Sequence, residues 1–540
     1  MNLRAKSLAS PLLTAMLLCC GLMVVPEAHA GQAPAGEKLG TVDFPVSCVA
    51  SQLVAFNRGV ALLHDFWYDK AEQQFQAIAA ADPACAMAYW GEAISLWHQI
   101  WERPSDATMQ RGLALVEKGQ KLNPATQREL DYLNALAQFY GNYRKASFET
   151  RATAYSKAME KLHQSYPQDH EAAAFYALSL LASAPPLDMT LANQKKALAV
   201  LNEQFVLVPD NPGVAHYIIH SCDSPQMAAE GLQAAQRYGE IAPSAPHAAH
   251  MPGHIFARLG MWQQDIAANL ASVAAAEQSG SAGHELHAMD FLNYAYLQVG
   301  EDDKAHAIVE RVQQMKPMAG HDMHDYLDIA RARFPATYEI ELRRWKEAAA
   351  LNPKMASQPQ NVAEVYWARA VGSGHLREAA ATRRELAQYD AMVEAVKKSA
   401  DAYMAQYMKD GRDEIRAWVA FAEGRNERAA QIMREVADKQ DKIGKGEVEI
   451  PAREMLADIL LESNRPQEAL TEYEQSMKID PNRFNGLYGA ARAAQMTNHP
   501  AVAEKYYAQL VKNCAGAKSE RPELARARAQ VTGKIVEGGQ

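Results

Sequence analysis

The apolar positions of this chain keep helical spacing almost throughout. In AFNRGVALLHDFWYDKAEQQFQAIAAADP, Ala55 to Pro83, they recur three and four residues apart, which is the repeat of one helix face. Strict alternation of apolar and polar residues, the mark of a half-buried strand, does not recur, so a sheet is not expected. Small and large residues stand at fixed places in this stretch: Gly59, Ala71, Phe75 and Pro83. RPQEALTEYEQSMKIDP repeats the pattern with Ala469, Tyr473 and Pro481, and Ala503 with Tyr507 follow 34 residues later. Weaker units stand at Gly300 with Ala305, Gly374 with Ala379, and Gly424 with Ala429. Each unit predicts a helical hairpin that cannot bury its apolar face alone. Stacked units give a continuous core and a curved superhelix.

The period and its small-residue positions resemble the tetratricopeptide repeat (TPR) family over most of the chain. The resemblance implies an all-α helical-hairpin superhelix whose first helices line a concave groove, a surface on which such arrays hold peptides or proteins. Positions 2, 5, 9 and 12 of each repeat would then project into the groove. DPACAMAYWGEA, VAHYIIHSCDSP and APHAAHMPGHIFARLG together look like a group of exported bacterial TPR-containing proteins. That narrower likeness implies fold and compartment, and no activity.

Breaks in the pattern suggest the organisation. QSGSAG, Gln278 to Gly283, reads as an insertion between units, and ASAPPLD, Ala182 to Asp188, as a long loop between helices. QMKPMAGHDMHD is irregular, and QDKIGKGEVEI before Pro451 could separate two arrays. The expected division is a signal peptide over 1–30, a linker over 31–47, an N-terminal array over 48–355, a C-terminal array over 356–515 and a terminal helix with tail over 516–540.

Ten of the 17 histidines lie between His216 and His324. His216 and His220 are four apart, and so are His250 and His254, 34 residues downstream. With Pro212 at position 1 of a repeat, His216 falls at position 5, His220 at 9 and Asp223 at 12. A unit from Pro246 places His247 at 2, His250 at 5 and His254 at 9. A unit from Leu286 places His287 at 2, Asp290 at 5 and Tyr294 at 9. Imidazoles four apart on one helix share a face and can chelate one ion, and equivalent positions on parallel helices can converge. The expectation is therefore a transition-metal site in the groove with His216, His220, His250 and His254 as ligands. Asp223, His247, His287, Asp290 and Tyr294 are further ligand or supporting candidates. Zinc, copper, iron or nickel suits such donors better than calcium, and Cys222 offers one nearby sulfur. Two readings compete: a metal-free scaffold for a peptide or protein, and a metal-dependent hydrolase or oxidase using Asp290, Glu285 or Tyr294 as acid or base. A plain structural or anion-holding role for the histidines also stands as an alternative.

The remaining sequence narrows the field. The net charge of −9 and the lack of a basic stripe argue against nucleic acid as a partner. No glycine-rich phosphate loop, G-x-S-x-G elbow or H-E-x-x-H helix occurs, and HELH at His284 to His287 has too short an interval. The aromatic residues of AYWGEAISLWHQIW read as core rather than as a cofactor box. Arg4 and Lys6, the apolar PLLTAMLLCCGLMVV and the AHA at Ala28 to Ala30 form a secretory-signal pattern that predicts cleavage near Gly31 and a soluble periplasmic protein, with a lipoprotein at Cys20 as the alternative that the preceding Cys19 fits poorly. No later segment is apolar enough to span a membrane. In an oxidising compartment, Cys48 and Cys85 predict a disulfide, since they flank one hairpin.

Overall fold

The computed structural model describes residues 36–101, 103–185, 188–316, 321–398, 402–443 and 448–533. The proposed signal peptide, with Cys19 and Cys20, lies outside the described residues, as do parts of the two irregular stretches around residues 317–320 and 444–447. The apolar periodicity is realised as helices that follow one another from Leu53 to Thr532, with no strand among the described residues. The architecture is an all-α superhelix of stacked helical hairpins. None of these helices is long and apolar enough to cross a membrane.

The first hairpin shows why the small residues recur. Helices Leu53–His64 and Tyr68–Ala81 pack so closely that Phe75 fills the space where a side chain at Gly59 or at Gly91 of the next helix would stand. Phe75 is fully buried there. The hairpin turn places one residue in the left-handed backbone region two residues before the second helix. Gly260, Gly300, Gly424, Asn464 and Asn498 fill that slot in later units, as expected of residues that tolerate positive φ.

Two sequence expectations are corrected. Gln278 to Gly283 is not an inserted loop. The helix Trp262–Ser279 takes its first two residues and the next, Ala282–Gln298, takes its last two. The extra residues lengthen both helices, and Gly280 at φ 69° makes the turn. The segment before the first helix is not a free linker either. Leu39 and Phe44 are buried, Thr41 N donates to Asp210 O at 2.9 Å, and Lys38 N donates to Ser244 Oγ at 2.9 Å.

These contacts show the superhelix closing on itself. Tyr238 OH donates to Asp65 at 2.8 Å across 173 residues. Trp262 Nε1 donates to Asn482 O at 2.9 Å, and Arg521 pairs with Asp302 at 2.7 Å. At this second closure Arg483 is buried between Glu341 (2.6 Å) and Glu454 (2.8 Å) and touches the Tyr294 hydroxyl. The apolar core continues across residue 355: Ala336, Ile340 and Ala348 share a cluster with Trp418, Leu456 and Leu487.

Cys48 and Cys85 form a disulfide with Cα atoms 4.7 Å apart, tying the start of the first hairpin to the start of the next unit. A bridge across 37 residues should add about 2–4 kcal/mol of stability. The expected result is that Cys48→Ser/Cys85→Ser lowers the urea midpoint, and that reductant lowers wild type to match. A wild-type midpoint unmoved by reductant would show the bridge carries no stability.

Candidate metal centre

The helix Pro212–Cys222 begins where the sequence lets it begin. Asn211 caps it by accepting from Val214 N at 3.1 Å, and Pro212 sits in the first turn, where a missing N–H costs nothing. His216 and His220 then fall on one face, one turn apart, with ring centroids 4.7 Å apart. The following unit is interrupted. Pro252 cannot extend a helix begun at Pro246, so the chain forms two short helices, Pro246–His250 and Pro252–Arg258. His247 and His250 stand on the first and His254 on the second. The helix Ala282–Gln298 adds His284 and His287.

These rings do not gather as one set of four. They form two sets of three. The ligand atoms of His216, His220 and His247 lie within 4.8 Å of one another, and so do those of His250, His254 and His287. The sets adjoin, with centroids 6.1 Å apart for His247 and His250 and 6.5 Å for His220 and His254. Two of the lesser candidates, His247 and His287, thus complete the triads. The rings also do not line an open groove: His216 is 0% exposed and His247 is 2% exposed.

In the first triad the Nε2 atoms of His216, His220 and His247 are all buried without a hydrogen-bond partner among the described residues. A buried polar atom without a partner costs roughly 1–3 kcal/mol, so three in one place need a reason. The His216 tautomer is fixed by its other nitrogen. Nδ1 donates to the His64 carbonyl oxygen at 2.5 Å, which leaves a lone pair on Nε2. His64 is itself held by Glu171 at 2.5 Å and the Tyr217 hydroxyl at 2.8 Å. Gly213 permits this, because a side chain there would collide with the His64 ring.

The second triad has its own supports. His254 Nδ1 donates to Asp223 at 2.9 Å, and Arg258 Nε donates to the same carboxylate at 3.0 Å. His250 Nδ1 meets Asn269 Oδ1 at 2.5 Å. Burial alone would raise Asp223, but Arg258 and the His254 ring hold its carboxyl far below the usual carboxylate range. Asp223, a sequence candidate, therefore stands behind His254 as an ionised orienting group.

Each triad lies against one phenylalanine. Phe66 is 4.3 Å from His216, 5.4 Å from His220 and 5.7 Å from His247 by ring centroid. Phe291 is 4.6 Å from His250, 4.9 Å from His254 and 5.7 Å from His287. Phe66 has φ 54° in the hairpin slot that glycine or asparagine fills in five later units and arginine, at Arg343 and Arg377, in two others. A bulky residue there is strained, and such strain persists where surrounding structure demands it. A bulky residue in that slot could be read from the sequence, but Arg343 and Arg377 share the feature away from both triads, so it does not by itself mark the site. His64, Glu171 and Asn269 gave no local signal, since each acts across a long stretch of chain or through its neighbour.

Burial, reinforced by neighbouring imidazoles, pushes His216, His247 and His250 well below the ordinary histidine range, His220 down to about 3 and His284 to about 4. The rings are neutral at pH 7, the form that binds metal. Their folded values lie below the unfolded value near 6.5, so the unfolded chain takes up more protons in acid. Stability is therefore complete above about pH 6.5 and falls as pH drops, by about 1.4 kcal/mol per ring at pH 5.5. Urea midpoints of metal-free protein should fall from pH 7.5 to 5.5, and His216→Gln/His220→Gln/His247→Gln should flatten that fall. Equal slopes in both proteins would contradict this assignment.

Other candidates are engaged elsewhere. Asp290 pairs with Arg333 at 3.0 Å. Tyr294 donates to Glu449 O at 3.0 Å and contacts Arg483, and Glu285 pairs with Arg311. Each of these three thus has a partner outside the two triads. Cys222 belongs to neither triad, and burial pushes its thiol up to about 12. The group Cys48, Asp82 and Cys85 is the disulfide with a capping carboxylate and offers no thiolate.

No family model and no curated protein matches this chain. Among solved structures it is similar to a human IFIT1 dimer with m7Gppp-AAAA, at 12% identity and TM-score 0.35, covering 80% of this chain and 90% of that one. A monomeric IFIT1 mutant with Gppp-AAAA matches at 12% identity and TM-score 0.35, covering 86% and 96%. The P58(IPK) TPR domain matches at 12% identity and TM-score 0.21, covering 90% and 100%.

Proposed function

We propose that this chain is an exported metal-binding protein that holds a transition ion through His216, His220 and His247. The observation that carries the reading is the grouping of three histidine ligand atoms within 4.8 Å of one another, on rings whose buried Nε2 atoms have no hydrogen-bond partner among the described residues. Neutral imidazoles with a fixed tautomer and a backbone carbonyl behind one ring suit zinc, copper, iron or nickel. The disulfide supports an oxidising compartment and agrees with the signal-like N-terminus.

Three protein ligands leave a tetrahedral ion one open position, which is the pattern of catalytic rather than structural zinc. This favours a metal-dependent hydrolase or oxidase as the second reading. A water in that position would be activated by the ion, and the surrounding rings of Phe66 and Trp101 would restrict access to it. The test is elemental analysis of protein purified from cells without a histidine tag. The reading expects stoichiometric zinc, copper, iron or nickel in wild type and loss of it in His216→Gln/His247→Gln. Metal-free wild type that also fails to take up each of these ions in vitro would overturn it.

A further inference from the structure

The second triad presents a problem of lone pairs. His250 Nε2 and His254 Nε2 stand 2.9 Å apart, facing one another. A hydrogen bond between them needs a proton on one of the two atoms. The opposite nitrogens show where the ring protons already are.

His254 Nδ1 faces the Asp223 carboxylate, which can only accept, so Nδ1 carries hydrogen. His250 Nδ1 faces a side-chain amide, and the amide's orientation is fixed. Asn269 Nδ2 donates to the Asp265 backbone oxygen at 2.9 Å, an acceptor in any protonation state, and to Asp265 Oδ1 at 2.6 Å. Asn269 therefore turns its carbonyl oxygen to His250, and that Nδ1 also carries hydrogen. Gly253 makes this possible, because a side chain there would press on both Asn269 Nδ2 and Asp265 Oδ1, each 2.7 Å from its Cβ. With both Nδ1 atoms protonated, two neutral rings point lone pairs at each other. Only a cation between or beside them resolves this: a shared proton or a metal ion. The ligand atom of His287 lies within 4.8 Å of both, and a proton has no use for a third imidazole, whereas a metal does.

We propose that His250, His254 and His287 form a second metal site, distinct from the His216–His220–His247 site, so that the chain binds two late-transition ions side by side. The inference rests on the reading of the first triad as a metal site. The second differs from the first in its supports: an ionised carboxylate stands behind one ring and a carboxyl-oriented amide behind another. Both donor sets are all-nitrogen, which excludes calcium and magnesium as preferred ions. Asp223 and Asn269 act here as positioning residues, and removal of such a partner costs typically 10–100-fold in metal affinity.

The experiment is titration of chelator-treated, untagged full-length protein with zinc chloride, read by calorimetry and by bound zinc after gel filtration. Wild type should take two equivalents. His287→Gln, at a ring that is not fully buried, should take one, as should His216→Gln/His220→Gln by losing the other. Asn269→Ala should retain both equivalents and weaken one of them by 10–100-fold. One equivalent in wild type, unaffected by His287→Gln, would show that a proton holds the second pair; the inference fails and the first site stands. Two equivalents retained in His287→Gln also overturn it. No zinc bound by wild type overturns both this inference and the function proposed above. Circular dichroism of His287→Gln confirms that any loss is not a loss of fold.

Discussion

Substituting His216 and His247 together by alanine will lower the affinity of the first triad for zinc by more than about a thousandfold. Losing a partner that merely orients a ligand costs typically 10–100-fold, and this change removes two ligands outright. A single remaining ring, His220, cannot compete with water for the ion. The same substitution should barely disturb the metal-free fold. Each ring it removes carries a buried Nε2 without a partner, worth about 1–3 kcal/mol of penalty. That relief offsets the packing lost against Phe66, so the unfolding free energy of metal-free protein should change by less than about 2 kcal/mol. Zinc affinity by competition with a chromophoric chelator and urea unfolding in chelator test both halves. A large loss of metal-free stability with affinity intact would mean that the rings are packing residues.

The second large effect lies away from the histidines. Arg483→Ala should cost about 3–5 kcal/mol of stability, because it leaves Glu341 and Glu454 buried without their cation. Burial pushes the Glu454 carboxyl up even with Arg483 beside it, which shows how poorly that position tolerates charge. The Arg483 contacts span 142 residues to Glu341 and 189 to Tyr294, so the loss should loosen the second closure of the superhelix. Urea denaturation at neutral pH measures it. A loss below about 1 kcal/mol would mean that water reaches the carboxylates in the wild-type protein. Metal affinity at the first triad should be unchanged, since Arg483 is not among its supports.

How far the sequence foretold this arrangement depends on whether the interaction is local. Hairpins were legible because Gly59, Ala71 and Phe75 obey a fixed spacing within one unit. The pairing of His216 with His220 was legible because four residues make about one turn. The division into two triads was not. It depends on the break at Pro252, which separates His247 from His254, and on the start of the next helix at Ala282 rather than Leu286. A repeat frame fixed by small residues cannot register a helix that gains a turn. The supports were the least legible. His64 reaches His216 across 152 residues, and Tyr217 reaches His64 across 153. Such contacts arise only when the superhelix closes, and no local pattern encodes the closure. Phe66 was readable as a bulky residue in a hairpin slot, but Arg343 and Arg377 share that feature, so the slot alone did not mark the site.

The central claim is that an ion sits among three named nitrogens. Crystals of zinc-loaded protein measured on both sides of the zinc absorption edge test it most directly. The account predicts an anomalous peak bonded to Nε2 of His216, His220 and His247 at about 2.0–2.1 Å. A zinc-loaded crystal whose anomalous density lies elsewhere, with those three atoms bonded only to water or to each other, would contradict it.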